Sequence, residues 1–153
     1  MTIYLGADHH GVAVKQQLKV WLTATGYKVV DLGAESLIPD DDYPAYAQKV
    51  AEAVIGDLQH RKSAIGLLFC ASGGGVTIAA NKFSGIRAVE TYDEKSAKHA
   101  RKDNDANIAC LSADWLSLDE IKLIVATFLA EPFSQAERHV RRIKQIAALE
   151  TIK

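Results

Sequence analysis

The sequence predicts an α/β fold, a three-layer α/β/α sandwich in which a five-stranded parallel sheet lies between two layers of helices. Five short apolar runs alternate along the chain with longer amphipathic segments, and the runs show little polar alternation. Such strands are covered on both faces, and strict strand–helix alternation gives a parallel sheet with right-handed crossovers. The 153 residues contain no repeat, low-complexity tract or linker, so we expect a single domain over residues 1–153.

The five predicted strands are short, and several are rich in β-branched residues. They cover Thr2–Ala7, Tyr27–Leu32, Ala64–Cys70, Arg87–Glu90 and Asn107–Leu111. A helical pattern follows each strand, and in the second of these patterns Pro44 suits a first helical turn. The five helical patterns cover His10–Thr25, Tyr43–Arg61, Gly75–Phe83, Asp93–Asp103 and Ser117–Leu129.

An additional C-terminal helix is predicted after Pro132, over about Ser134–Ile152. Its apolar residues recur at helical spacing, while its polar face is unusually basic. Because this helix follows no strand, it has no sheet face to cover, and we expect it to pack on a neighbouring subunit. The sequence therefore predicts an oligomer.

Composition excludes several classes of function. The chain carries 18 Lys and Arg against 19 Asp and Glu, a formal charge of −1, which gives no global field to attract nucleic acid or an anionic membrane. Cys70 and Cys110 lie far apart, no secretory signal pattern is present, and no apolar run reaches the roughly 18 residues of a membrane span. We expect a cytoplasmic protein in which any anion binding is local.

Two polar segments follow predicted strands, where open α/β sheets bind ligands. Asp8-His9-His10 follows the first strand, and Cys70-Ala71-Ser72-Gly73-Gly74-Gly75 follows the third. Consecutive glycines let backbone N–H groups approach an anion at a helix start, although a tight turn is the alternative explanation. The segment matches neither a Walker A loop nor a dinucleotide-binding fingerprint.

Individual side chains point to chemistry, each with a plainer alternative. Cys70 precedes a helix start that favours a thiolate, or else it is a buried strand-end residue like Cys110. Arg138 and Arg142 share one helix face and fit a phosphate, or else they form a solvated basic face. The acidic run over residues 40–42 is expected to be a solvated turn and helix start rather than a metal site.

Together these motifs resemble the ribose-5-phosphate isomerase B family and its galactose-6-phosphate isomerase relatives. The matching segments are Gly6–His9, Asp42–Ala47, Cys70–Gly75, Ile78–Ala88, and Asn104–Asn107 with Arg138, His139 and Arg142. The resemblance implies a Rossmann-like fold and a homodimer or homotetramer with active sites at the subunit interface. It also implies aldose–ketose isomerisation of a sugar phosphate without a metal or another cofactor.

The resemblance also implies roles for individual residues. Cys70 would be the base that takes the proton next to the carbonyl, and Asp8 would handle protons on the substrate oxygens. The Ser72 hydroxyl and the N–H groups of Gly73, Gly74 and Gly75 can stabilise the developing enediolate. The residues expected to hold the substrate are His9, Tyr43, Ala71, the three glycines, Asn104, Arg138 and Arg142, and the arginines can come from the adjoining subunit.

Two positions depart from the family pattern. Asp103 stands where these isomerases carry a ring-opening His, and we count it among the catalytic candidates. His99, one helical turn earlier, is a candidate substitute for that His. Asp114 stands where the family places a phosphate-binding Arg, so phosphate affinity should fall unless Asp114 turns away or pairs with Arg138, Arg141 or Arg142.

Ribose 5-phosphate is the expected substrate. The alternatives are a tetrose or hexose phosphate as substrate, a non-catalytic subunit of a hetero-oligomeric isomerase, and a nucleotide- or flavin-binding module.

Overall fold

The computed structural model describes residues 1–150 and confirms the predicted α/β class. The strands are β1 (Thr2–Ala7), β2 (Lys28–Asp31), β3 (Ala64–Cys70), β4 (Ala88–Glu90) and β5 (Ile108–Ser112). The helices are α1 (Val12–Ala24), α2 (Tyr43–Gln59), α3 (Gly74–Ala80), α4 (Glu94–Asn104), α5 (Leu118–Ala130) and α6 (Glu137–Leu149). Within the described range, no helix is long and apolar enough to cross a membrane.

The strands pair in parallel in the order β2-β1-β3-β5-β4. The chain moves outward from β1 to β2 and then crosses back over β1 to reach β3. The direction of strand order therefore reverses between β1 and β3, and the crevice beyond their carboxyl ends is where open α/β sheets bind ligands. The two polar segments predicted from the sequence follow these two strands.

Helices cover both faces of the sheet. On one face α1, α4 and α5 pack on alternate strand residues such as Leu5, Leu67 and Leu111, and on the other α2 and α3 pack on residues such as Leu68 and Cys110. All seven residues of the central strand β3 are buried. Burial on both faces explains why the strand sequences lack polar alternation.

The helix ends follow local chemistry. Asp93 and Ser117, where two helices were predicted to begin, are N-caps whose side chains accept backbone N–H groups in capping boxes. The helix α6 begins at Glu137 rather than Ser134, because Gln135 has a φ of 55° in the left-handed region. Residues 151 and 152 of the predicted C-terminal helix lie outside the described residues.

A buried ion pair ties the segment after β2 to α1. The Lys15 side chain is only 1% exposed, and its Nζ donates hydrogen bonds to Asp31 Oδ1 at 2.6 Å and to the Ala34 carbonyl at 2.7 Å. Because a buried ammonium is costly unless it is paired and hydrogen-bonded, these contacts fix the start of the segment that runs over residues 34–42 towards α2.

Candidate active site

At the end of β3, the backbone folds back onto the sulfur of Cys70. The Gly73 N–H donates a hydrogen bond to Cys70 Sγ at 3.2 Å, and Cys70 is 5% exposed. Gly73 has a φ of 88°, a left-handed conformation that glycine adopts without strain. A donor aimed at the sulfur can stabilise negative charge on it, which is what a cysteine base requires.

The glycine segment also approaches Tyr43 on α2. A Cβ added to Gly75 would lie 2.7 Å from Tyr43 Cζ, so the tyrosine ring occupies the space that any side chain at Gly75 would need. Tyr43 therefore lies against the glycine segment, and its role in lining the sugar pocket stays a prediction.

A small space above Gly74 is bounded by two polar groups. An added Cβ there would be 3.6 Å from Ser72 Oγ and 3.7 Å from Glu90 Oε2, which are ordinary contact distances. Glu90 ends β4, and the sequence did not mark it as a site residue. An oxygen of a bound ligand could occupy this space between a hydroxyl and a carboxylate.

Asp8 lies at the end of β1, beside the last residues of β3. Its N–H donates to the Phe69 carbonyl at 3.4 Å, and its Oδ1 accepts the N–H groups of His10 at 3.1 Å and Gly11 at 3.3 Å. The residue is 4% exposed, and burial raises the pKa of the Asp8 carboxyl above its ordinary value. Such a carboxyl, next to Cys70 along the sheet edge, is suited to exchange protons with a substrate oxygen.

His9 is held by Asp41. Asp41 Oδ1 accepts the His9 backbone N–H at 3.0 Å and lies 2.6 Å from His9 Nδ1. The Asp41 side chain is only 8% exposed, so the expectation of a solvated turn is wrong for this residue. The only feature of the sequence that pointed to Asp41 was the acidic run that leads into the helix beginning at Tyr43.

Asp8, His9 and Asp41 offer ligand atoms within 4.8 Å of one another. However, His9 Nδ1 and Asp41 Oδ1 are already bonded to each other, so we describe these groups as a hydrogen-bonded cluster and assign no metal to it.

Asp114 turns to the neighbouring histidine. Its Oδ1 lies 3.2 Å from His10 Nδ1, and both side chains are exposed. Within residues 1–150 Asp114 makes no salt bridge to Arg138, Arg141 or Arg142, and its partner is His10.

The remaining predicted residues lie at the opposite edge of the sheet. Asp103 and Asn104 end α4, at the amino end of β5, which begins at Ile108. Cys70 pairs with Ser112, four residues and thus about 13 Å further along β5. One chain therefore does not bring Asn104 to Cys70.

The helix α6 lies with Asp103 and Asn104, near the amino edge of the sheet. The Ser134 N–H donates to the Lys102 carbonyl at 3.0 Å, and buried His139 lies 3.6 Å from Asp103. Arg138 and Arg142 are exposed, and neither forms a salt bridge within the described part of the chain. They are available to an anion presented from outside this chain.

Asp103 holds a histidine by a short hydrogen bond. His99 Nδ1 lies 2.8 Å from Asp103 Oδ2, and this bond together with the charge of His139 lowers the pKa of the Asp103 carboxyl. The His99 side chain remains more than half exposed. Cys110, in contrast, is fully buried, and burial raises the pKa of its thiol to about 12, which makes it a core residue as predicted.

The chain is similar to known proteins over nearly its whole length. Residues 3–146 match the family described as Ribose/Galactose Isomerase. The chain is 36% identical over 150 residues to the ribose-5-phosphate isomerase B of Mycolicibacterium paratuberculosis, with 98% of this chain and 92% of that protein covered. It is 37% identical over 148 residues to that of Escherichia coli, with 97% and 95% covered.

Solved structures show the same similarity. The Clostridium thermocellum ribose-5-phosphate isomerase B superposes with a TM-score of 0.92 at 36% identity, covering 99% of both chains. The Mycoplasma genitalium protein, solved with bound ribulose 5-phosphate, superposes with a TM-score of 0.91 at 35% identity, covering 99% of this chain and 97% of that one.

Proposed function

This chain belongs to the Ribose/Galactose Isomerase family, and we propose that it interconverts ribose 5-phosphate and ribulose 5-phosphate with Cys70 as the base. The observation that carries the proposal is the Gly73 N–H directed at Cys70 Sγ, at the start of a glycine segment that adjoins Tyr43 and follows the end of β3 beside Asp8. The names of the relatives support the choice of sugar.

The reaction needs one base, one set of oxyanion donors and one proton carrier. The Cys70 thiolate takes the proton from C2 of the open-chain aldose, the C–H electron pair forms the C1–C2 double bond, and the carbonyl oxygen on C1 becomes negative. Because the Gly73 N–H is directed at Cys70 Sγ and the Gly74 N–H at Ser72 Oγ, the Ser72 hydroxyl and the Gly75 N–H are the groups that stabilise that oxygen. Asp8 carries the proton of the C2 hydroxyl to the C1 oxygen. The C2–O electron pair then forms the new carbonyl at C2, the electron pair of the C1–C2 double bond takes the proton of the Cys70 thiol at C1, and the ketose results.

The two half-sites require two copies of the chain. Cys70 and Asp8 lie at the carboxyl edge of the sheet, whereas Asn104 and Arg138 lie near the amino edge. We therefore propose a homodimer or a larger homo-oligomer in which Asn104, Arg138 and Arg142 of one copy complete the site of another. The exposed cationic residues of α6, which lack salt bridges within residues 1–150, support this arrangement by offering a receptor for the substrate phosphate.

A complementation experiment tests the shared site. Cys70→Ala and Arg138→Ala are each expected to be nearly inactive alone. When the two are unfolded and refolded together as an equal mixture, half of the dimers are mixed, and each mixed dimer has one intact site, so about a quarter of the wild-type activity should return. No recovery of activity in verified mixed dimers would show that Arg138 of one copy does not complete the site of the other copy.

The Asp103–His99 hydrogen bond supports a role for Asp103 through its partner. We assign opening of the furanose ring to His99, with Asp103 as a positioning residue. A tetrose phosphate cannot form this ring, because the ring oxygen would be the one carrying phosphate. His99→Asn should therefore slow turnover of ribose 5-phosphate more than turnover of erythrose 4-phosphate, if wild type accepts the latter. Equal losses with both sugars would contradict the assignment.

A panel of tetrose, pentose and hexose phosphates distinguishes the alternatives for the substrate. Ribose 5-phosphate is expected to have the highest kcat/KM. A higher value for another sugar would correct the substrate, and inactivity of the homo-oligomer with every sugar would favour a non-catalytic subunit.

A further inference from the structure

A nearly buried carboxylate lies behind His9. Asp41 belongs to the segment between β2 and α2, 32 positions from His9 in the chain, yet its Oδ1 contacts both the His9 backbone N–H at 3.0 Å and the His9 ring Nδ1 at 2.6 Å. The Asp41 side chain is 8% exposed, whereas that of His9 is 23% exposed. The His9 ring is thus hydrogen-bonded to Asp41 on its inner side and exposed to solvent on its outer side.

This hydrogen bond determines how the imidazole can act. With Nδ1 bonded to a carboxylate, the Nδ1 proton stays on the ring, and Nε2 is the nitrogen that remains for a ligand. Within residues 1–150, Nε2 of His9 has no hydrogen-bond partner. A carboxylate that fixes one ring nitrogen and leaves the other for a ligand orients the ring and raises its basicity, as in metal-binding histidines.

The charges around the ring favour its cationic form. The hydrogen bond to Asp41 raises the pKa of His9, and the charges of Asp8 and Asp40 add to that effect. Burial alone would raise the pKa of Asp41, but the hydrogen bonds from His9 and Tyr46, together with the charge of His9, outweigh burial and lower that pKa. The other titratable groups here are the His10 ring, whose centroid is 4.4 Å from that of His9, and the Tyr46 hydroxyl on α2 beside Asp41.

We infer that Asp41 is a positioning residue of the site, which holds His9 as a cation with Nε2 directed to the phosphate of the substrate. The inference rests on the proposed function, because it takes the substrate to be a sugar phosphate. Asp41 itself touches only His9 among the groups assigned to the substrate, so its effect passes through that ring.

Asp41→Asn tests this role, with Asp40→Asn as the matched control. The Asn side chain keeps an acceptor for the His9 N–H groups and removes the charge. Asp40 is the adjacent exposed acid, with a φ of 59° that Asn tolerates. The same charge is therefore removed one position away, without loss of a contact to His9.

Three measurements are made on each folded protein, whose fold is checked by circular dichroism. The pH midpoint of the His9 ring is followed by NMR, and kcat and KM for ribose 5-phosphate and the inhibition constant of inorganic phosphate are measured from pH 6 to 9. In Asp41→Asn, the His9 midpoint should fall, and KM and the phosphate inhibition constant should rise roughly ten-fold near neutral pH, the size expected when a charged partner is lost. The kcat value should change less than about two-fold. Asp40→Asn should change each value much less.

The pH dependence separates this role from a purely structural one. In wild type, KM should begin to rise where His9 loses its proton, and in Asp41→Asn that rise should begin at the lower pH given by the NMR midpoint. An unchanged KM, or a rise that stays at the wild-type pH while the midpoint moves, would overturn the inference. Asp41→Glu keeps the charge and should recover part of the wild-type KM and part of the wild-type His9 midpoint. This variant replaces Asp41→Asn in the test if the Asn variant does not fold. Absence of isomerisation by wild type would instead reject the proposed function, while the His9 midpoint would still report on the Asp41–His9 pair.

Discussion

Replacement of Gly73 by alanine is expected to destabilise the protein through the backbone itself. Gly73 has φ 88° and ψ −25°, and a left-handed conformation costs a residue with a Cβ about 1–2 kcal/mol. The new Cβ would also lie 3.1 Å from the Leu111 carbonyl carbon and 3.3 Å from the Ser112 nitrogen. Both are backbone atoms of β5, which cannot rotate away, so the conformational cost is a lower bound.

Gly74→Ala is the control for this substitution. Its φ is not positive, and its new Cβ would meet only Ser72 Oγ and Glu90 Oε2 at ordinary distances. We expect Gly73→Ala to lower the midpoint of thermal unfolding by roughly 2–8 °C, whereas Gly74→Ala should stay within about 0.5 kcal/mol of wild type. Gly74→Ala should nevertheless lose isomerase activity, because it fills the space between Ser72 and Glu90.

Urea and thermal unfolding at one fixed protein concentration measure these differences, since association of subunits adds to apparent stability. Equal stability of Gly73→Ala and Gly74→Ala would refute the argument from backbone strain. Full activity of a stable Gly74→Ala would show that no substrate atom uses the space above that glycine.

Two further predictions concern buried charges. Burial raises the folded-state pKa of Asp8 above 3.8, so the contribution of Asp8 to stability is complete below that pH and is lost as pH rises through the folded-state pKa. Asp8→Asn should therefore be inactive yet more stable than wild type at pH 7, and the difference in stability should vanish in acid. An Asn variant that is less stable than wild type at pH 7 would contradict this prediction. Lys15→Met should lower the free energy of unfolding by about 3 kcal/mol or more, whereas Lys19→Met should lower it by less than about 1 kcal/mol. Both lysines contact Asp31, but only Lys15 is buried. Equal urea midpoints for the two variants would show that the Lys15–Asp31 pair does not anchor the segment after β2.

The sequence was most informative where structure depends on local pattern. The bounds of β1 and β3 match the predicted strands residue for residue, since continuous apolar runs are what a strand buried on both faces requires. The Cys70–Gly73 contact spans three residues, so a motif read along the chain already contained it.

The contacts between distant segments were not readable in this way. Asp41 meets His9 only because the segment over residues 34–42 folds back over the β1–α1 turn, and no local pattern encodes that path. Glu90 reaches the space above Gly74 because β4 follows β5 in the sheet, and strand order is set by the packing of the whole domain. The position of Asn104 follows from topology instead, since a helix that joins parallel strands ends at their amino edge.

The central claim is that Cys70 is the base of a sugar-phosphate isomerase, and the two cysteines of the chain provide the most direct test. Conversion of ribose 5-phosphate to ribulose 5-phosphate should be measured for wild type, Cys70→Ala and Cys110→Ala, with folding checked for each protein. Loss of a general base predicts a fall in kcat of about 10²–10⁴-fold for Cys70→Ala, while Cys110→Ala should lose stability and keep kcat. Wild-type turnover by a folded Cys70→Ala protein would contradict the account.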